Sequence, residues 1–137
     1  MAAFNKFNSF VEHLAEGVHN LQSNTLVVAL TNSAPSASNS VLADITQISY
    51  TNLSSRTLTV ASSSQTSGTY RLMINDLTLT ASGSVATFRY VVIYNDTPTS
   101  PADPLIGWYD HGSAVTLTNG ATFTIDFDGT NGVLSLA

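Results

Sequence analysis

The groups in this chain able to do acid–base, nucleophilic or metal chemistry are few. They are His13, His19 and His111, the two glutamates Glu12 and Glu16, and seven aspartates. Nucleophilic catalysis needs a base beside a nucleophile and a third group to orient the base. The chain has no Gly-x-Ser-x-Gly elbow and no cysteine. Asp110-His111 offers one carboxylate and one imidazole, but neighbours on a strand point to opposite faces. A turn or interface histidine is the expectation there. Among Asp44, Asp76, Asp96, Asp103, Asp110, Asp126 and Asp128, spacing pairs no two as a glycosidase acid and base. No glycine loop is built to cradle phosphate. The chain therefore reads as a non-enzyme, with no catalytic residue and no cofactor.

Two stretches have metal-like spacing. Glu16-x-x-His19 matches half of a di-iron motif, which needs a second copy and two more glutamates. Asp126-Phe127-Asp128-Gly129-Thr130-Asn131-Gly132 could wrap the oxygens of Asp126, Asp128 and Asn131 around calcium. The same Asx and Gly residues suit an ordinary turn, and no glutamate stands where an EF-hand loop ends. Tyr50, Tyr70, Tyr90, Tyr94, Trp108 and Tyr109 could line a glycan groove. On strands such aromatics more often belong to a core or a subunit interface.

What could position these groups is bounded by composition. A length of 137 residues suits one domain, and 43% apolar residues suffice for a core. Only 9% of residues are charged, against about a quarter in an ordinary soluble domain, and Ser and Thr make up about a quarter of the chain. Such a surface does little to keep copies apart. With a net charge of −5, the four cations Lys6, Arg56, Arg71 and Arg89 form no cluster for phosphates, so neither nucleic acid nor an anionic membrane is expected as a partner. No basic patch and apolar run mark a signal peptide at the start, and no 18-residue apolar stretch occurs.

The first segment differs from the rest. Phe4, Phe7, Val11, Leu14, Val18 and Leu21 recur at spacings of three and four, which predicts one amphipathic helix over residues 4–20, with Phe10 at the flank of its stripe. These six are the candidate interface residues. The stripe docks either on the chain's own domain or on a neighbouring subunit. Residues 1–22 are read as this helical segment and residues 23–137 as a β-sandwich. From Thr25 the pattern is β: Thr25–Thr31, Arg56–Ser62, Thr69–Thr80 (one strand or two with a bend near Asn75-Asp76), Val85–Tyr94, Leu105–Asp110, Ala114–Leu117, Thr122–Phe127 and Val133–Leu136. Ser63–Gly68 reads as a polar loop, and Phe88, Tyr90, Val92 and Tyr94 as one face of the most apolar strand. Some eight short strands, with turns every 8–12 residues, predict an antiparallel sandwich, barrel or jelly roll.

Three stretches, in order, resemble a group of small tailed-phage structural proteins. They are Phe88-Arg89-Tyr90-Val91-Val92-Ile93-Tyr94-Asn95, Pro104-Leu105-Ile106-Gly107-Trp108-Tyr109-Asp110 and Gly120-Ala121-Thr122-Phe123-Thr124-Ile125-Asp126-Phe127. Leu26-Val27-Val28-Ala29-Leu30-Thr31-Asn32 and the leading helix are similar too, so the likeness covers most of the chain. The resemblance implies a capsid decoration (cement) protein, or a neck or tail accessory. Its partners would be itself, as a homo-dimer or homo-trimer, and the major capsid protein or another virion protein. It implies a virion location after assembly in a host cytoplasm, and no catalytic residues. A glycan- or receptor-binding module of the virion is the rival expectation.

Overall fold

A computed structural model describes residues 2–137; Met1, which opens the 1–22 segment, lies outside them. The chain is mainly β, with nine strands and one α-helix among the described residues. The strands are β1 (Asn5–Lys6), β2 (Leu26–Thr31), β3 (Val60–Thr66), β4 (Thr69–Ile74), β5 (Leu77–Thr80), β6 (Phe88–Asn95), β7 (Leu105–Val115), β8 (Thr122–Ile125) and β9 (Leu134–Leu136). The helix α1 spans Asn8–Ala15, and a 3-10 turn spans Leu42–Asp44. All pairings are antiparallel. A four-stranded sheet has the order β1-β7-β6-β2, a second sheet β3-β4-β9, and β5 pairs with β8.

The four-stranded sheet is apolar on both faces. On β2, Leu26, Val28 and Leu30 join a core that also takes Leu72 and Ile74 from β4, Leu79 from β5 and Ile125 from β8. This is the sandwich interior. Val27 and Ala29 point the other way, into a smaller core with Phe7, Ile45, Val92, Tyr94 and Leu105. A continuous run of apolar residues is what a strand covered on both sides requires. The outer edge of β2 is covered as well. Val28 N–H donates to Arg56 O at 3.0 Å, Leu58 N–H to Leu26 O at 2.9 Å, and Ile48 N–H to Leu30 O at 3.0 Å, so the edge presents no free ladder to another chain.

The predicted strands appear with four corrections. First, the helix is half the expected length. Gly17, in the left-handed region at φ +78°, ends it: Val18 N–H reaches His13 O at 2.9 Å and Gly17 N–H reaches Leu14 O at 3.3 Å, the Schellman arrangement. At the other end β1 pairs with β7, placing Asn5 opposite Trp108 and Lys6 opposite Gly107. A Cβ on Gly107 would lie 2.3 Å from the Phe4 ring and 2.7 Å from Asn5 O, so only glycine admits this crossing. Phe4, Phe7, Val18 and Leu21 therefore lie outside the helix, and the six residues form no single stripe.

Second, the strand expected over Arg56–Ser62 begins only at Val60, and Ser63–Gly68 is not a loop. Ser63 to Thr66 continue β3, and Ser67 and Gly68 (φ 52° and 84°) make a two-residue hairpin turn into β4. Third, Phe88 does not share a face with Val92 and Tyr94. A register break between Phe88 and Tyr90 turns Phe88 into the sandwich core with Val91 and Ile93. Fourth, Leu105–Asp110 and Ala114–Leu117 are not separate strands: β7 runs through to Val115, though its pairing jumps from Tyr90–Asp110 to Phe88–Val115. Thr69–Thr80 does divide in two, at Asn75-Asp76.

Candidate interaction surface

The six candidate interface residues divide by side and by burial. Phe7 is wholly buried beside Trp108, with ring centroids 4.6 Å apart, in the smaller core. Phe4 packs edge-on against Tyr109 at 5.6 Å on the sandwich side. Leu21 is buried in the sandwich core, as is Phe10, the residue that spacing put at the flank. Leu14 and Val18 are half-buried, and Val11 is exposed. The segment is thus anchored to its own domain by Phe7, Phe10 and Leu21, with Leu14 packed half-buried against the sandwich core, while Val11 remains on the outside.

Leu14 forms one wall of an open groove of about 470 Å³, with Gly17, His19, Leu21 and the Asn20–Gln22 turn beside it. The opposite wall comes from the second sheet: Ser63 of β3, Tyr70 of β4 and Leu136 of β9. Tyr70 pairs with Leu136, and Leu72 with Leu134 one step inward. The inward-facing row of this sheet therefore runs out of the core and into the groove. Val11 and Leu136 are the two exposed large apolar side chains among the described residues, at 48% and 45%. Leu136 lines the groove; Val11 lies one helical turn from Leu14 on the same side of α1. No Asp, Glu, Lys or Arg lines it. Sequence reasoning named Tyr70 only among the aromatics of a possible glycan groove or subunit interface, and it missed Ser63 and Leu136, because nothing local in β3 or β9 shows that Leu14 and the turn after α1 stand opposite them.

His19 sits at the base of the groove, 6% exposed. Its ring lies 5.2 Å from Phe10 and 6.1 Å from His13. Burial, with His13 second, pushes the His19 imidazole down to about 4. Asn95, at the end of β6 and wholly buried, ties it to the turn: its Nδ2 lies 3.1 Å from His19 Nδ1 and 2.9 Å from Asn24 Oδ1.

The remaining candidates do not assemble into a centre. Asp128 accepts the backbone N–H groups of Thr130 and Asn131, both at 2.8 Å, and the Asn131 amide at 3.1 Å. The Asn131 and Thr130 amides hold its carboxyl below the usual range. It is the hub of a turn, and Asn131 offers it N–H groups rather than an oxygen for a shared cation. Asp126 instead lines a separate cavity of about 170 Å³ with Tyr109, His111 and Phe123. No three His, Asp or Glu side chains are grouped to hold a metal among the described residues. Asp110 is held by Arg89 at 2.8 and 3.1 Å and by Gly112 N–H at 2.8 Å, while His111 turns edge-on to Phe123. Asp96 and Asp103, which spacing did not pair, do meet: burial raises the Asp103 carboxyl, and Asp96 adds to the effect. The six tyrosine and tryptophan candidates are dispersed. Tyr94 and Trp108 lie in the smaller core, Tyr109 on the sandwich side, and Tyr50 under the Arg56 guanidinium at 3.5 Å. No protein-family model, curated protein or solved structure matches the chain.

Proposed function

We propose that this chain is a non-enzymatic structural protein of a tailed-phage virion, a homo-dimer or homo-trimer that decorates the capsid by binding the major capsid protein lattice. The observation that carries the assembly role is the groove: Leu136, one of the two exposed large apolar side chains among the described residues, lines it, the other, Val11, stands one helical turn from its wall residue Leu14, and no charged side chain lines it. Apolar area that water would otherwise cover is the main favourable term in association. Few surface charges mean little like-charge repulsion as copies crowd on a shell. A standard interface buries on the order of 1,600 Å², and repetition round a lattice makes individually weak contacts avid. The order of the Phe88–Asn95, Pro104–Asp110 and Gly120–Phe127 stretches supplies the virion reading.

Counting copies in purified particles tests this. Hundreds of copies on the head are expected. A handful at the tail would favour the neck or tail accessory, and absence from particles would overturn the proposal. A glycan-binding module is the second reading, supported by the cavity in which Tyr109, His111, Phe123 and Asp126 converge. Ring faces beside polar groups suit a sugar, and glycan arrays would detect it.

A further inference from the structure

Three buried side-chain polar atoms lack a hydrogen-bond partner among the described residues: Ser9 Oγ, His13 Nδ1 and His19 Nε2. All three belong to one stretch of eleven residues. Ser9 and His13 stand four apart on the same side of α1, and His13 faces His19 at 6.1 Å between ring centroids. Such atoms are rare in folded proteins, and each calls for a reason.

The polarity of the site follows from Asn95. Its Oδ1 accepts the Thr97 backbone N–H at 3.2 Å, so Nδ2 is the atom turned toward Asn24 and His19. An amide nitrogen only donates, so His19 Nδ1 must accept, and the network assigns the proton of the neutral ring to Nε2. An N–H rather than a lone pair therefore points away from Asn95. A metal ion, which binds a lone pair, finds no ligand there. A second proton would have to sit on Nδ1, where it would meet the Asn95 N–H donor to donor.

We infer that residues 8–24 form an acid-released latch, closed while His19 is neutral and opened when a proton on its Nδ1 displaces the bond from Asn95. The groups around His19 offer that proton no counter-charge. His13 and Phe10 face it from α1, the amides of Asn24 and Asn95 from the turn and β6, and Tyr70 shares the groove from β4. The carboxylates Glu12 and Glu16 on α1, and Asp96 next to Asn95, are exposed. The closed form holds His19 down at about 4, whereas a released histidine titrates near 6.5. Between those values the open form binds the extra proton, so the closed-to-open ratio falls by up to tenfold for each unit of acidification. Opening withdraws Phe10 from the core and Leu14 from the groove wall.

Hydrogen exchange of the α1 backbone amides, read as protection factors at pH 7 and pH 4.5, tests the latch. In the wild type, protection across Asn8–Ala15 should fall by up to about 100-fold, while β2 and β6 hold theirs. His19→Gln keeps an acceptor for Asn95 and cannot take a proton, so its α1 protection should be unchanged. Wild-type protection that persists to pH 4.5, or an equal fall in His19→Gln, would overturn the inference. Should that variant not fold, imidazole nitrogen spectra of the wild type at pH 5.5 decide. A neutral His19 protonated on Nε2 is expected; a neutral ring protonated on Nδ1, or an imidazolium in the folded chain, would contradict it.

Discussion

The β2–β6 ladder and the segment from Asn8 to Asn24 cross the same sandwich, yet they are held in different ways. Along the ladder, six register pairs from Leu26–Asn95 to Thr31–Tyr90 bury every β2 side chain, and the outer edge of β2 is itself hydrogen-bonded. Along the segment, eight helical residues are pinned by Phe10 and Leu21, and buried nitrogens of His13 and His19 go unpaired. Area alone fixes the ladder. The segment adds a polar network of fixed proton direction, and such networks are costly when incomplete. One region is therefore built to stay, and the other can respond to conditions.

The largest effect expected from breaking this contrast is deletion of residues 1–22. It removes Phe7, Phe10 and Leu21 from the two cores, at ~1.5–3 kcal/mol for each side chain. That sum is comparable to the whole stability of a small domain. The truncated chain should fail to melt cooperatively; a melting curve like that of the full chain would show the segment to be dispensable. Next comes Phe88→Ala, which empties a fully buried site against Phe123 and should cost about 3–5 kcal/mol in denaturant unfolding. A cost under 1 kcal/mol would mean that the register break at Phe88 is misplaced.

Acid should act on the segment with a defined sign. The folded state holds His19 at about 4, below the 6.5 of an unfolded histidine. Its contribution is therefore full above pH 6.5 and is lost as pH falls toward 4, by up to about 3 kcal/mol. His19→Gln should flatten that slope in thermal melts across pH 4–7, and an unchanged slope would assign the loss to other groups. Smaller still is Val11→Asp with Leu136→Asp. Both positions are exposed, so monomer stability should change by no more than about 0.5 kcal/mol, while association should weaken. Chelation should leave melting unchanged, because Asp128 is already satisfied by the Thr130 and Asn131 N–H groups; a drop of several degrees would revive a calcium site at Asp126–Gly132.

The two regions also differed in how far sequence could read them. β2 and β6 announce themselves because strands covered on both faces need unbroken apolar runs. The chain bend at Asn75-Asp76 was equally legible. The helix was not, because Phe4 and Phe7 keep a helical spacing while lying outside it, on either side of β1, and Gly17 is its stop signal. β3 was placed too early, over Arg56–Ser62, because Val60–Thr66 has no buried residue and so no alternation to mark its far end. The Phe88 face was misread because a register break cannot be seen in spacing. The groove and the His19 network were invisible for one reason: Leu136 and Asn95 lie more than sixty residues from the side chains they meet there.

Sedimentation velocity at micromolar concentration and neutral pH tests the account most directly, comparing the wild type with Val11→Asp/Leu136→Asp. The account predicts a wild-type particle of two or three copies of the 14.5 kDa chain and a double variant that sediments as a folded monomer. A wild type that is cleanly monomeric, or a double variant that stays assembled, would contradict the assignment of this groove as the surface through which copies meet.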